Sequence, residues 1–170
     1  MAEVASSLTS DVVVNIQGDE PLMPPQAIDA AVQPLLDDPR ELISTLRRKI
    51  DEPGDLHNPS VVKVVVDLEG YALYFSRSAV PYSRSGDSLV AWRHLGLYAY
   101  RRTFLLKIAQ LPQTPLERAE RLEQLRVLEH GYRLRTVETN ADAIGVDTPE
   151  DLERVRRLIE TSFEAYHAEH

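Results

Sequence analysis

The 170-residue chain has no cysteine, which excludes a disulfide scaffold, a thiol nucleophile and a thiolate zinc site. Long apolar runs are missing too: none approaches the ~18 residues that a membrane-crossing helix needs. Residues 1–11 lack the basic region and apolar stretch of a signal peptide, so a cytoplasmic protein with no membrane contact is expected. Neither G-x-x-x-x-G-K-S/T nor G-x-G-x-x-G occurs, and the P-loop and dinucleotide fingerprints are therefore absent. Among the five histidines, His57, His94, His130, His167 and His170, no zinc spacing stands out. Basic charge is short as well, with 19 Lys+Arg against 27 Asp+Glu, a net charge of −8 and a pI near 5.1. Nucleic-acid binding draws most of its affinity from clustered Lys and Arg, so no nucleic-acid partner is expected. If so acidic a chain handles anions, a metal ion is expected to help.

What is present is ordinary globular composition, 43% hydrophobic and 27% charged. The length suits one domain, residues 1–170, burying roughly 68–70% of its unfolded surface. Val12-Val13-Val14-Asn15-Ile16, stopped by Gly18-Asp19-Glu20-Pro21, reads as a buried strand entering a loop. Ile28, Val32, Leu35 and Leu36 recur at helical spacing behind Pro24-Pro25, with Pro34 expected to kink or shorten that helix. A strand over 42–46 follows. Residues 61–66 and 71–75 around Asp67-Leu68-Glu69-Gly70 read as an antiparallel pair. Thr114-Pro115-Leu116-Glu117 and Thr148-Pro149-Glu150-Asp151 both carry a Thr cap, Pro at the first helical position and an acid at N3. The first helix is expected to run to Gly131, and the last to carry Leu152, Val155, Ile159, Phe163 and Tyr166 on one stripe. The alternation of strands and helices predicts an α/β fold with a mixed sheet.

Gly18-Asp19-Glu20-Pro21 follows a strand, where open α/β sheets place their ligands. Adjacent carboxylates there suit a hard cation such as Mg2+, although the same residues are also ordinary turn formers. Asp147, after Ile144-Gly145-Val146, occupies a second strand-to-helix corner. His94, Gly96, Tyr98 and Tyr100 share one face of a strand by period two. That face fits either a sugar site or a half-exposed edge, with Gly96 weakening the strand or admitting a close neighbour. Glu123-Gln124 lies amid Arg118, Arg121 and Arg126, where ion pairs such as Glu117 to Arg121 are expected. Arg47-Arg48-Lys49 and Arg154, Arg156 and Arg157 read as solvated.

Several blocks occur together and in order: Val14-Asn15-Ile16-Gln17-Gly18-Asp19-Glu20-Pro21, Asn58-Pro59 with Val62-Lys63-Val64-Val65, Tyr74-Phe75-Ser76-Arg77, His94-Leu95-Gly96-Leu97-Tyr98-Ala99-Tyr100-Arg101, Leu122-Glu123-Gln124-Leu125-Arg126 and Gly145-Val146-Asp147-Thr148-Pro149-Glu150-Asp151-Leu152. Over residues 11–158 the chain strongly resembles the CMP-Kdo synthetase (3-deoxy-manno-octulosonate cytidylyltransferase) family. The resemblance implies a three-layer nucleotide-diphospho-sugar-transferase-like fold with a mixed, mostly parallel sheet. It implies transfer of CMP from CTP to the acid sugar Kdo for lipopolysaccharide assembly, with pyrophosphate released and Mg2+ required. Mapped by motif, Asp19 and Asp147 would be the catalytic, metal-coordinating carboxylates and would approach one another. Gln17, Arg77, His94, Tyr98, Glu123 and Gln124 would bind substrate.

Members of that family open with a strand and a Gly-x-Arg-x-x-x-Lys type loop that grips the CTP phosphates. This chain has no counterpart, so a fold without the N-terminal CTP-binding segment is expected, with no useful turnover by residues 1–170 alone. A homodimer is also expected, through the apolar Leu95, Leu97, Phe104, Leu105 and Leu122. The competing readings are another sugar-acid cytidylyltransferase, such as one acting on sialic acid, and a non-catalytic remnant that binds sugar or dimerises.

Overall fold

Ten residues, Trp92–Arg101, form the strand around which the rest is arranged. A computed structural model describes residues 1–18, 20–84, 90–141, 145–146 and 148–168, with side chains through residue 160. In chain order the elements are α1 (Ala2–Ser7), β1 (Val12–Ile16), α2 (Pro25–Asp37), β2 (Ile43–Lys49), α3 (Pro53–His57), β3 (Lys63–Val66), β4 (Ala72–Ser76), β5 (Trp92–Arg101), α4 (Arg102–Ile108), α5 (Pro115–Glu120), α6 (Gln124–Glu129), β6 (Arg135–Glu138) and α7 (Pro149–Ala168).

The strands form one sheet in the order β4-β3-β5-β2-β6, with β1 also paired to β5. Along one edge β5 pairs antiparallel with β2 from Tyr100 to Trp92. Its other edge takes β1 over Leu97–Arg101 and β3 at Trp92 and Arg93. The sheet is mixed, as expected, but not mostly parallel in its pairing. Strands β1, β2, β3 and β6 point one way, yet β5 runs against them from the centre, so among the described strands only β2–β6 is a parallel pair. The hairpin of β3 and β4 forms as predicted, with Gly70 at φ +85 in its turn.

Alternation along β5 divides the core in two. Leu95, Leu97 and Ala99 pack with Leu46 against Ala27, Ala31 and Leu35 of α2. On the opposite face, Tyr98, Ile43, Val64 and Phe75 meet Phe104, Leu105 and Ile108 of α4 together with Leu122, Leu125 and Leu134. Helix, sheet and helix thus form three layers. The apolar residues assigned to a dimer interface are consumed here: Leu95, Leu97, Phe104, Leu105 and Leu122 are each at most 6% exposed within one chain.

Several local expectations change in the fold. Helix α2 runs three residues past Pro34, because a proline in the last turn forfeits little of the ladder and Asp38 N–H still bonds the Pro34 carbonyl at 3.1 Å. Its buried stripe is Ala27, Ala31 and Leu35, the two small alanines letting it lie close to the sheet, and Leu36 is 64% exposed. On α7, Val155 is buried but Leu152 and Ile159 are substantially exposed. Arg47 is not solvated: its guanidinium donates to the Thr136 carbonyl at 2.9 Å and lies 4.9 Å over the Trp92 ring.

The helix predicted from Thr114 to Gly131 breaks into α5 and α6 at Arg121, which adopts left-handed φ 54 and ψ 49. Glu117 is buried and accepts two hydrogen bonds from Arg126 of the next helix rather than pairing with Arg121. The turn lets Leu122 N–H bond the Glu117 carbonyl at 3.2 Å and buries the Leu122 side chain. These gains offset a left-handed non-glycine residue, a cost on the order of 1–3 kcal/mol. Glu129 adds support by accepting from Leu116 and Glu117 N–H at the start of α5. The cap of α7 forms as expected, Thr148 and Asp151 bonding each other reciprocally.

Candidate functional site

The face of β5 turned away from α2 borders a cavity of about 980 Å3. Every described residue among the predicted substrate contacts lines it: Gln17, Arg77, His94, Tyr98, Glu123 and Gln124. They arrive from four places. Gln17 follows β1, Arg77 follows β4, His94 and Tyr98 each stand two positions from Gly96 on β5, and the break at Arg121 carries Glu123 and Gln124 to the wall. Asp19 and Asp147 lie outside the described residues, and so does their expected approach to one another. Their chain neighbours Gln17, Glu20, Gly145 and Asp151 line the same cavity. Among the described residues no group of three or more His, Cys, Asp or Glu is placed to hold a metal.

Gly96 is required by its neighbour. A Cβ at that position would sit 2.5 Å from Gln17 Oε1 and 2.8 Å from its Cδ, so only glycine lets this side chain lie against the strand. The Gly96 N–H falls in the gap between the β1 and β3 pairings and donates to Glu20 Oε1 at 3.2 Å. The second acid of Gly18-Asp19-Glu20-Pro21 therefore holds the strand edge.

His94 Nε2 is 2.9 Å from Thr45 Oγ1, and its ring packs edge-on to Phe75 at 5.1 Å and tilted to Tyr98 at 5.3 Å. Burial pushes its pKa down to about 3, so the imidazole is neutral near pH 7. Burial, then Tyr100, Glu123 and Glu20, raises the Tyr98 phenol well above its ordinary value and keeps it protonated. The Tyr98 and Gln124 side chains are both buried, yet neither hydrogen-bonds a described residue. Neither is among the enclosed side-chain atoms that lack a partner, so their polar atoms open onto the cavity, where water or a ligand can pair them.

The Arg77 wall is built rather than loose. Its Nε donates to the Glu120 carbonyl at 3.0 Å and its Nη1 to the Pro59 carbonyl at 2.9 Å, while Glu120 Oε2 accepts the Arg77 N–H at 3.0 Å. Behind it Lys63 is fully buried, its ammonium donating to the carbonyls of Asn58, Val61 and Arg77 at 2.9, 2.7 and 2.6 Å. All three protons are used, and burial lowers the pKa of this lysine.

Sequence reasoning missed Asn15, Arg93, Arg121 and Arg154, which also border the cavity. Asn15 had a signal, since it stands two positions before Gln17 and pairs with Tyr98. Arg121 had none, because a left-handed turn at arginine leaves no glycine to mark it. With Arg77 and Arg126 these arginines line the cavity alongside the acids Glu20, Glu123 and Asp151, and Arg126 is already paired with Glu117, so the lining offers both signs of charge to a polar ligand.

The profile of a family described as Cytidylyltransferase matches residues 1–139. The chain is 55% identical over 163 residues to a 3-deoxy-manno-octulosonate cytidylyltransferase of Solibacter usitatus, covering 95% of this chain and 65% of that protein. It is 52% identical over 166 residues to the protein of that name from Geotalea uraniireducens, covering 91% of this chain and 66% of the relative. A solved CMP:2-keto-3-deoxy-manno-octonic acid synthetase complexed with CTP matches with a TM-score of 0.89 at 42% identity, covering 95% of this chain and 66% of that one. The inositol-1-phosphate CTP transferase from T. maritima, at TM-score 0.55 and 17% identity over 88% of this chain and 55% of that one, shares the fold. The chain thus spans 65–66% of the length of these three cytidylyltransferase relatives.

Proposed function

The chain belongs to the cytidylyltransferase family, and from that premise we propose that it carries the sugar-acid site of a 3-deoxy-manno-octulosonate cytidylyltransferase, an enzyme moving CMP from CTP to Kdo with release of pyrophosphate. One observation carries the reading: the buried Tyr98 and Gln124 face the cavity without a described protein partner, beside a neutral His94 and a rim of arginines. Hydroxyls of the sugar satisfy Tyr98, Gln124, His94 and Gln17, all neutral hydrogen-bonding groups. Arg77, held by two carbonyls, and its neighbouring arginines meet the sugar carboxylate. Glu123, from the α5–α6 segment whose Glu120 holds Arg77, accepts from a sugar hydroxyl. Such contacts fix the attacking oxygen, and positioning contributes on the order of 7–11 kcal/mol in well-oriented two-substrate reactions.

Asp19 and Asp147 are the proposed catalytic carboxylates and Mg2+ ligands. Carboxylate oxygens suit a hard cation, and the lining of one cavity by Gln17, Glu20, Gly145 and Asp151 supports their sharing a site. Bound there, Mg2+ would neutralise phosphate charge and lower the pKa of the attacking hydroxyl. The relatives' names favour Kdo over other sugar acids. A place in the cytoplasm is proposed on the resemblance alone; among the described residues no helix is long and apolar enough to cross a membrane. A homodimer, expected from the resemblance, must use surface other than the buried leucines. Sedimentation at high micromolar concentration reads it.

Pyrophosphate release from CTP, Kdo and Mg2+ tests the activity. Turnover by the protein is expected to be abolished by Asp19→Asn and by Asp147→Asn, and full activity in either variant would defeat the proposal.

A further inference from the structure

Thr45 is fully buried in β2, where its register against β5 jumps from Tyr98 to Leu95. Its Oγ1 lies 2.7 Å from the Leu97 carbonyl, 3.3 Å from the Leu95 carbonyl and 2.9 Å from His94 Nε2. A hydroxyl has one proton to give. If His94 received it, the Thr45 and Leu97 oxygens would face each other at 2.7 Å with no hydrogen between them. Giving it to Leu97 removes that repulsion and makes His94 Nε2 the donor to Thr45. Nδ1 then carries the ring's lone pair, and no described residue hydrogen-bonds it.

We propose that Thr45 is a positioning residue which fixes His94 as its Nε2–H tautomer, so that Nδ1 is offered as an acceptor to a sugar hydroxyl in the cavity. The sugar half of this inference rests on the proposed function; the tautomer half rests on geometry alone. Phe75 and Tyr98 hold the ring plane, and the depressed pKa keeps the ring neutral, so the tautomer alone decides which nitrogen accepts. The two residues stand 49 positions apart, and the bulge that exposes the Leu95 and Leu97 carbonyls to one hydroxyl is what joins them.

The test is NMR of the chain with nitrogen-labelled histidine, its His94 signals assigned by their loss in His94→Gln. The native chain is expected to show the Nε2–H tautomer. Thr45→Val, nearly the same shape without the hydroxyl, should give mixed tautomers and weaken Kdo binding about tenfold. Thr45→Ser should restore both. A native Nδ1–H tautomer, or one unchanged in Thr45→Val, overturns the proposal, and the native spectrum decides this even if Thr45→Val fails to fold. A changed tautomer with unchanged Kdo affinity supports the hold of Thr45 on the ring and overturns the sugar contact, so the two halves fail distinguishably.

Discussion

The two faces of β5 are drawn from the same ten residues. Leu95, Leu97 and Ala99, at most 1% exposed, close against α2 with other aliphatic side chains. His94, Gly96, Tyr98 and Tyr100 border the cavity with Gln17, Glu123 and the arginines. At these positions the first face presents aliphatic side chains to α2, and the second presents polar and aromatic ones to the cavity. Close packing behind a strand is what lets its polar face be held in place without a ligand, since a side chain on a rigid element wanders less than one on a loop. The strand also meets two partners on one edge, β1 and β3, and Gly96 falls in the gap between them. The site therefore stands where the sheet's own hydrogen bonding is interrupted.

The sharpest way to break this division is Leu97→Ala. Removing a fully buried leucine from the dry face should cost about 3 kcal/mol of stability, read by urea unfolding. Kdo affinity of the folded fraction should stay within about threefold of native. Equal losses in both would show that the faces are not separable.

A titration of stability sharpens the other face. The folded His94 has its pKa pushed down to about 3 from an ordinary 6.5, so well above pH 6.5 neither state takes up a proton and His94 adds no pH dependence. As pH falls from 6.5 towards 3 the unfolded chain binds a proton that the fold refuses, and stability drops by up to about 1.4 kcal/mol per pH unit. Between pH 7.5 and 5, His94→Gln should lose about 2 kcal/mol less stability than the native chain.

Gly96→Ala places a methyl where the Gln17 amide lies. The clash is with the end of a flexible side chain, so it should displace Gln17 and weaken Kdo binding about tenfold, about 1.4 kcal/mol, while urea stability falls by less. Tyr98→Phe is the gentlest probe. Its hydroxyl bonds no described residue, so stability should hold within about 0.5 kcal/mol while affinity drops by about 1 kcal/mol, the net worth of one hydrogen bond. A stability loss larger than the affinity loss would assign that hydroxyl to the fold.

How much of this was legible follows from how local each signal is. Period two put His94, Gly96, Tyr98 and Tyr100 on one face, and the Thr-Pro-x-acid pattern placed both helix starts, because each is settled within a few residues. Thr45 was not legible as the partner of His94, since a bulge forms only when two strands meet. Nor was the break at Arg121, where a buried Glu117–Arg126 pair outweighs helical continuity. The apolar Leu95, Leu97, Phe104, Leu105 and Leu122 read as a dimer surface in the sequence because apolarity alone does not say whether the covering helix comes from the same chain. The parallel bias of the sheet failed for a like reason: one central strand running backwards reverses most pairings.

Calorimetric titration of Kdo into the chain with Mg2+ present tests most directly whether the cavity face of β5 is the sugar site. The account predicts one saturable site per chain, weakened by Gly96→Ala and Tyr98→Phe and left intact by Leu97→Ala. Absence of saturable binding, or binding that Leu97→Ala weakens while the cavity-face variants leave it unchanged, would contradict it.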